Sequence, residues 1–282
     1  MILLTKLKKG IARLFLLLLV AQHCYGQDLY NAEHTRKYAD HLFNTKQYES
    51  AANEYKRLQT FEPNNDSIAQ KVLISYRLSG QSDSGIAFLR KRYTLPIDAS
   101  EIIKEEYTRS LIMAERYSEA DGFLWHNTLM DSNFRKTYYF YNNALSNNWV
   151  AARAAFNSGT LVVDKNTDAW SQLLVKQQKL KLKSPGLAMA MSVVFPGSGR
   201  VYTNDWKDGA ISLLMVSSMA YESYVGFRAR GTRSVLGWVF GGLAVGFYGG
   251  NVYGSYHSAK RYNSRILNEI HEAAKKLVIS GF

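Results

Sequence analysis

Twenty-six consecutive residues, Ser234 to Ala259, contain no lysine, arginine, aspartate or glutamate. A helix needs about 20 mostly apolar residues to cross the hydrocarbon core of a bilayer, so this run is long enough. Inside it Gly242, Gly246, Gly250 and Gly254 recur every four residues, and Gly237 and Gly241 extend the pattern upstream. In water each glycine would weaken a helix by about 1 kcal/mol. In lipid, glycines at that period form a flat stripe that lets a neighbouring helix come close, and packing supplies the attraction. A glycine-rich soluble loop explains neither the period nor the missing charge. The last third of the chain is therefore expected to be helical and to lie in a membrane.

Two further segments share this character. Gly209–Phe227 carries Glu222 as its one charged residue, and Ser184–Gly199 carries none. Tyr221, Tyr224, Trp238, Tyr253 and Tyr256 gather near segment ends, as interfacial aromatics do. The reading adopted is a hairpin of Gly209–Phe227 and Leu236–Tyr256, with the three arginines of "RARGTR" on the cytoplasmic side. A third span through Ser184–Gly199 stays open, because the basic residues after Ala259 favour it by charge. Glu222 is a candidate intramembrane polar site, since a carboxylate within a span is a functional candidate by default. The plainer alternative is that it reaches the boundary, roughly 9 Å along a helix from Arg228.

Between these segments lies "VVFPGSGRVYTNDWKDGA". A phosphate-binding loop of the Walker type would need a following Gly-Lys-Ser/Thr, and a dinucleotide loop a third glycine where Tyr202 stands. Neither is present. The expected structure is a short helix stopped at Pro196-Gly197, a turn through Gly199 and Tyr202, and a restart at Asp205. Acids such as Asp205 and Asp208, just before Gly209, suit a helix start. Irregular backbone at membrane depth has to be covered by protein, and the glycine stripe is the expected cover. The segment resembles small bacterial membrane modules with Pro-Gly-x-Gly-x-x-Tyr followed by an Asp-Gly helix start. That resemblance implies company with membrane-protein insertion factors.

The other end reads differently. Residues 1–26 have Lys6, Lys8, Lys9 and Arg13 without an acid, then the apolar run "LFLLLLVA", then "CYG". This is the build of a secretory signal. Cleavage after Gly26 would bring the formal charge from +12 to near +8 and remove Cys24, the one cysteine. The remaining chain would have neither a disulfide nor a thiol nucleophile.

From residue 27 to 181 the chain reads as helices joined by short polar turns. Ala39, Leu42, Tyr48, Ala51 and Tyr55, then Pro63-Asn64-Asn65, fall at the packing and turn positions of a 34-residue helical repeat. Tyr76 and Gly85, Tyr117 and Ala120, and Trp149 and Ala152 continue the pattern, with Tyr48, Ser82, Tyr117 and Trp149 spaced 34, 35 and 32 residues apart. This part resembles the tetratricopeptide repeat, which implies a stack binding a protein or peptide on its concave face. A rigid spacer is the alternative.

The expected fold class is thus all-α, a helical-repeat solenoid (27–181) followed by a glycine-rich transmembrane hairpin (182–259). A basic tail helix (260–282) is expected to put Ile266, Ile270, Ala273 and Leu277 on one face. The six histidines are scattered, and no hydrolase or metal motif occurs, so no catalytic residue, cofactor or metal is assigned. Basic residues are spread without aromatic interleaving, against nucleic-acid binding. The expectation is a non-enzymatic scaffold in a Gram-negative-type envelope, membrane-anchored, with periplasmic repeats binding a protein partner. The alternative is a component of membrane-protein insertion or transport whose membrane module is the active part. The oligomeric state is left open.

Overall fold

The computed structural model describes residues 31–93, 95–158 and 166–282. The expected signal, residues 1–26 with Cys24, lies outside them. The described residues form thirteen α-helices and two short 3-10 turns, with no strand among them. They fall into two compact units, one ending at Tyr138 and the other beginning at Tyr139. That division lies well before the expected boundary at residue 181.

The first unit contains α1 (Ala32–Asn44), α2 (Tyr48–Phe61), α3 (Asp66–Leu78), α4 (Ser82–Arg92), α5 (Glu101–Met113), α6 (Tyr117–His126) and the start of α7 (Ser132–Leu145). Caps set the helix starts. The Asn31 side chain accepts from the His34 amide at 2.8 Å, and Asn65 accepts from the amides of Ser67 and Ile68. Small residues set the spacing. Ala39, Ala51 and Ala52 are fully buried, so α1 and α2 meet closely, while Tyr55, Leu58, Ile68 and Val72 fill the space beside them. Gly85 has the same role in α4, since a Cβ there would stand 3.3 Å from the Tyr76 Cβ. Pro63 is exposed in the turn that follows α2.

One turn recurs. Lys46, Gly80, Glu115 and Asn147 all adopt positive φ, between 59° and 76°. In each case the residue that follows donates its amide to a carbonyl five residues back: Gln47 to Leu42, Gln81 to Tyr76, Arg116 to Leu111 and Asn148 to Asn143, at 2.8 to 2.9 Å. This is the Schellman closure of a helix end. Each turn residue stands two positions before one of the spaced residues Tyr48, Ser82, Tyr117 and Trp149. The spacing seen in the sequence is therefore a spacing of helix-ending turns.

A buried ionic group also organises the first unit. The Glu106 side chain is 1% exposed and takes hydrogen bonds from Arg77 Nε and Arg109 Nη1, while Arg109 Nε donates to the Tyr138 hydroxyl at 2.7 Å. A buried carboxylate survives folding only when it is paired in this way.

The second unit holds the rest of α7, α8 (Trp149–Asn157), α9 (Thr167–Gln178), α10 (Pro185–Val194), α11 (Ser198–Tyr202), α12 (Trp206–Arg230) and α13 (Val235–Ser280). Trp170 of α9 is buried between Phe140, at 4.7 Å edge-on, and Tyr141, at 5.8 Å and stacked. The far end of α13 closes this cluster, where Asn166 donates to Ser280 Oγ at 2.7 Å. Two expectations change here. The tail is not a separate helix, because α13 runs unbroken for 46 residues. Its buried face is Ile270, Ala274 and Val278 rather than Ile266, Ile270, Ala273 and Leu277, because this end of the helix packs on α9.

One described helix, α13, is long and apolar enough to cross a membrane, and little of its apolar part is buried. The partner arm α12 has 25 residues but does not reach that apolarity, with Lys207, Asp208 and Glu222 in its sequence. Helix α10 is apolar but has ten residues, too few to span.

Candidate functional site

The glycine-rich turn is built from the side of α13. Ser184 caps α10, accepting from the Leu187 amide, and Pro185 sits at the first helical position. After Val194 the chain turns at Pro196 and Gly197, whose φ of 88° a side chain would resist. A Cβ on Gly197 would lie 2.1 Å from the Gly209 carbonyl oxygen, and one on Gly199 would lie 1.8 Å from that of Ala188. Gly209 in turn faces the Gly197 carbonyl and the Val201 side chain. These three glycines are where α10, α11 and α12 touch backbone to backbone.

Polar groups of α13 hold that turn in place. Asn251 Oδ1 accepts from the Gly197 amide at 3.1 Å. Ser255 Oγ bonds Ser192 Oγ at 2.6 Å, and Ser192 Oγ accepts from the Gly199 amide at 3.0 Å. Ser258 Oγ bonds Thr203 Oγ1 at 2.7 Å and donates to Asp205 at 3.2 Å. Asn251, Ser255 and Ser258 stand four and then three residues apart, so they share one helical face. All three are buried. Their signal in the sequence is three polar residues at helical spacing inside a charge-free run.

The remaining turn residues are anchored at the rim. The Tyr202 hydroxyl accepts from the Ser184 amide at 3.2 Å, and the Lys183 ammonium stands 4.5 Å from its ring centre. Asp208 pairs with Arg200 at 2.9 Å. Asp205 precedes α12 but makes no side-chain cap; its carboxylate serves Ser258 instead.

The glycine stripe divides in two. Gly254 faces the Arg200 guanidinium, but a Cβ on Gly242, Gly246 or Gly250 would meet nothing within 4 Å. Those three do not bring a neighbouring helix close within this chain, contrary to expectation. The close approach of α12 and α13 is made elsewhere, by Gly226 against the Gly237 backbone and by Gly241 against Ser223. Ser223 Oγ donates to the Gly237 carbonyl at 2.8 Å. Serine and glycine suit that contact because neither holds the backbones apart. Glu222 is exposed beside the equally exposed Tyr221.

The module is polar within and apolar without. Ser192, Thr203, Ser223, Asn251, Ser255 and Ser258 are buried, while Val194, Leu214, Leu236, Trp238, Val245 and Tyr253 are exposed. The repeat-type residues behave oppositely: Ala39, Ala51, Tyr55, Tyr76, Ala120, Trp149 and Ala152 are buried, and Tyr48 and Tyr117 are half-buried. Burial pushes the Tyr117 hydroxyl up to about 12, with Glu115 adding to it. Among the described residues no three histidine or acidic side chains gather as a metal site would require. No known protein family, curated protein or solved structure matches the chain.

Proposed function

We propose that the chain is a membrane-tethered envelope scaffold of a Gram-negative-type bacterium. In this reading residues 1–26 are a signal, and the helix pairs up to residue 181 are tetratricopeptide-like repeats that hold a protein partner in the periplasm. The α12–α13 hairpin is the anchor. The single observation that carries the proposal is the inverted burial of residues 184–259, with hydroxyls and an amide inside and aliphatic side chains outside. Lipid is the solvent that suits such a surface.

Two geometric features support it. Trp206 and Tyr224 on one arm, and Trp238 and Tyr256 on the other, are each 18 residues apart, about 27 Å along a helix. That separation matches a hydrocarbon core of about 30 Å flanked by aromatic belts. The recurring Schellman turn supports the repeats, because it ends the first helix of each pair in the same way. The family assignment itself rests on the sequence resemblance.

Alkaline carbonate extraction tests the anchor. The full chain is expected to stay with the membrane pellet, and release into the supernatant would refute the tether. Crosslinking in whole cells, with and without residues 27–181, tests the repeats; a partner captured equally by the deleted form would refute their role. A second reading, in which the module itself serves insertion or transport, is favoured by one observation, the open space above Gly246 and Gly250. Gly246→Leu with Gly250→Leu would abolish function under that reading and spare it in a tether.

A further inference from the structure

The two arms of the hairpin do not stay together along their length. They touch at Gly226 and Gly237, then leave a cleft of about 410 Å3 toward the glycine turn. That volume is in the range of small-molecule sites, roughly 300–1,000 Å3. Gly246 and Gly250 form its floor, and Ile211, Met215 and Phe247 its apolar walls.

Its polar end is formed by Arg200, Asp208 and Asn251. Asn251 is 3% exposed; its Oδ1 is used by the Gly197 amide, but its Nδ2 has no acceptor. Arg200 Nε is also without an acceptor, as are the Nε atoms of Arg92 and Arg153, while its Nη1 pairs with Asp208. Unmet buried donors are rare, since each forfeits about 1–3 kcal/mol. Asn251 and Arg200 both line the cleft. Asp208 stands at the same end, half exposed, so the lining carries one positive and one negative charge.

We infer that this cleft binds a zwitterionic aminophospholipid, with phosphate or ester oxygens on Asn251 Nδ2 and Arg200, the ammonium on Asp208, and an acyl chain over Gly246 and Gly250. The inference rests on the membrane reading of the hairpin. The charge pattern selects the headgroup. A purely anionic lipid would gain Arg200 but face the Asp208 carboxylate, whereas a headgroup carrying both signs satisfies both residues. The bare glycines give the chain room that any larger side chain would fill.

Thermal melts of the purified full chain in detergent test it, with phosphatidylethanolamine, phosphatidylglycerol or inorganic phosphate added. Phosphatidylethanolamine at a hundredfold excess over its Kd is expected to raise Tm by roughly 5–10 °C, phosphatidylglycerol by clearly less, and inorganic phosphate by nothing measurable. Gly246→Leu should remove the shift. Asp208→Asn, which leaves a net positive cleft, should reverse the preference toward phosphatidylglycerol. Equal shifts from the two lipids, the full shift from phosphate alone, or no reversal in Asp208→Asn would each overturn the inference. If the chain resists carbonate extraction yet shows no headgroup preference, the cleft inference fails alone. If carbonate releases it, the tether fails first.

Discussion

Gly199 is the position where one added carbon should do most harm. The Cβ of an alanine there would stand 1.8 Å from the Ala188 carbonyl oxygen and 2.6 Å from Ser192 Oγ. Ordinary contact would require α11 to move away from α10 by about 1.5 Å, and interiors this dense do not absorb such a shift freely. Overpacking of this kind destabilises by about 1–3 kcal/mol. The shift would also break the 3.0 Å bond from the Gly199 amide to Ser192, leaving a buried donor unmet at about 1–3 kcal/mol. Alanine returns about 1 kcal/mol through its helix propensity. The net loss for Gly199→Ala is therefore about 3 kcal/mol, or a fall in Tm of roughly 6–12 °C. Gly246→Ala is the control, because its Cβ meets open space; its Tm should hold or rise slightly. Far-UV circular dichroism melts of both variants in detergent provide the measurement. A Gly199→Ala protein that melts with the native chain, or a Gly246→Ala protein that loses as much, would refute this account of the turn.

Two other outcomes are expected in the first unit. Glu106→Ala leaves the Arg77 and Arg109 guanidiniums facing a gap where the carboxylate stood, and should lower stability by about 3–5 kcal/mol in urea titrations; a loss below about 1 kcal/mol would mean the group is not buried as described. Burial works to raise the Asp40 carboxyl, but hydrogen bonds from Lys71 and Tyr55 outweigh it and hold the group below its ordinary 3.8; Asp66 is held down in the same way, against burial, by Ser100, Tyr93 and Arg92. A depressed carboxylate contributes stability above its unfolded value and loses it as pH falls through the folded one. Urea midpoints should therefore be steady from about pH 6 to 4.5 and fall below about pH 4, with Asp40→Asn falling less steeply; equal slopes would contradict the pairing.

Much of this architecture was legible in the residues. The spacing of Tyr48, Ser82, Tyr117 and Trp149 is plain in the sequence, and in the structure each of these residues follows a Schellman turn by two positions. Pro196-Gly197 announced a break, and the break is there. Glu106 was not legible. It sits beside Glu105 in a charged run that reads as a solvated face, and only tertiary folding brings Arg77 against it. The glycine period was visible but its division was not, since period alone does not say which glycines meet a neighbour and which face a gap. Nor did the change from apolar residues to charged ones after Ala259 end the last helix. Composition reports the surroundings of a helix, whereas its termination depends on proline, glycine or a cap, and none intervenes there.

That unbroken α13 has a mechanical consequence. From Tyr256 to Ser280, α13 is about 36 Å of rod, with no joint at which bending could be absorbed. A change in tilt of the Val235–Tyr256 half by ten degrees would swing the far end by roughly 6 Å, carrying the Trp170 cluster with it. With α13 anchored in a bilayer as proposed, thickness or lateral pressure there would be felt outside it as displacement, through a lever whose fulcrum is the serine and asparagine face gripping the glycine turn.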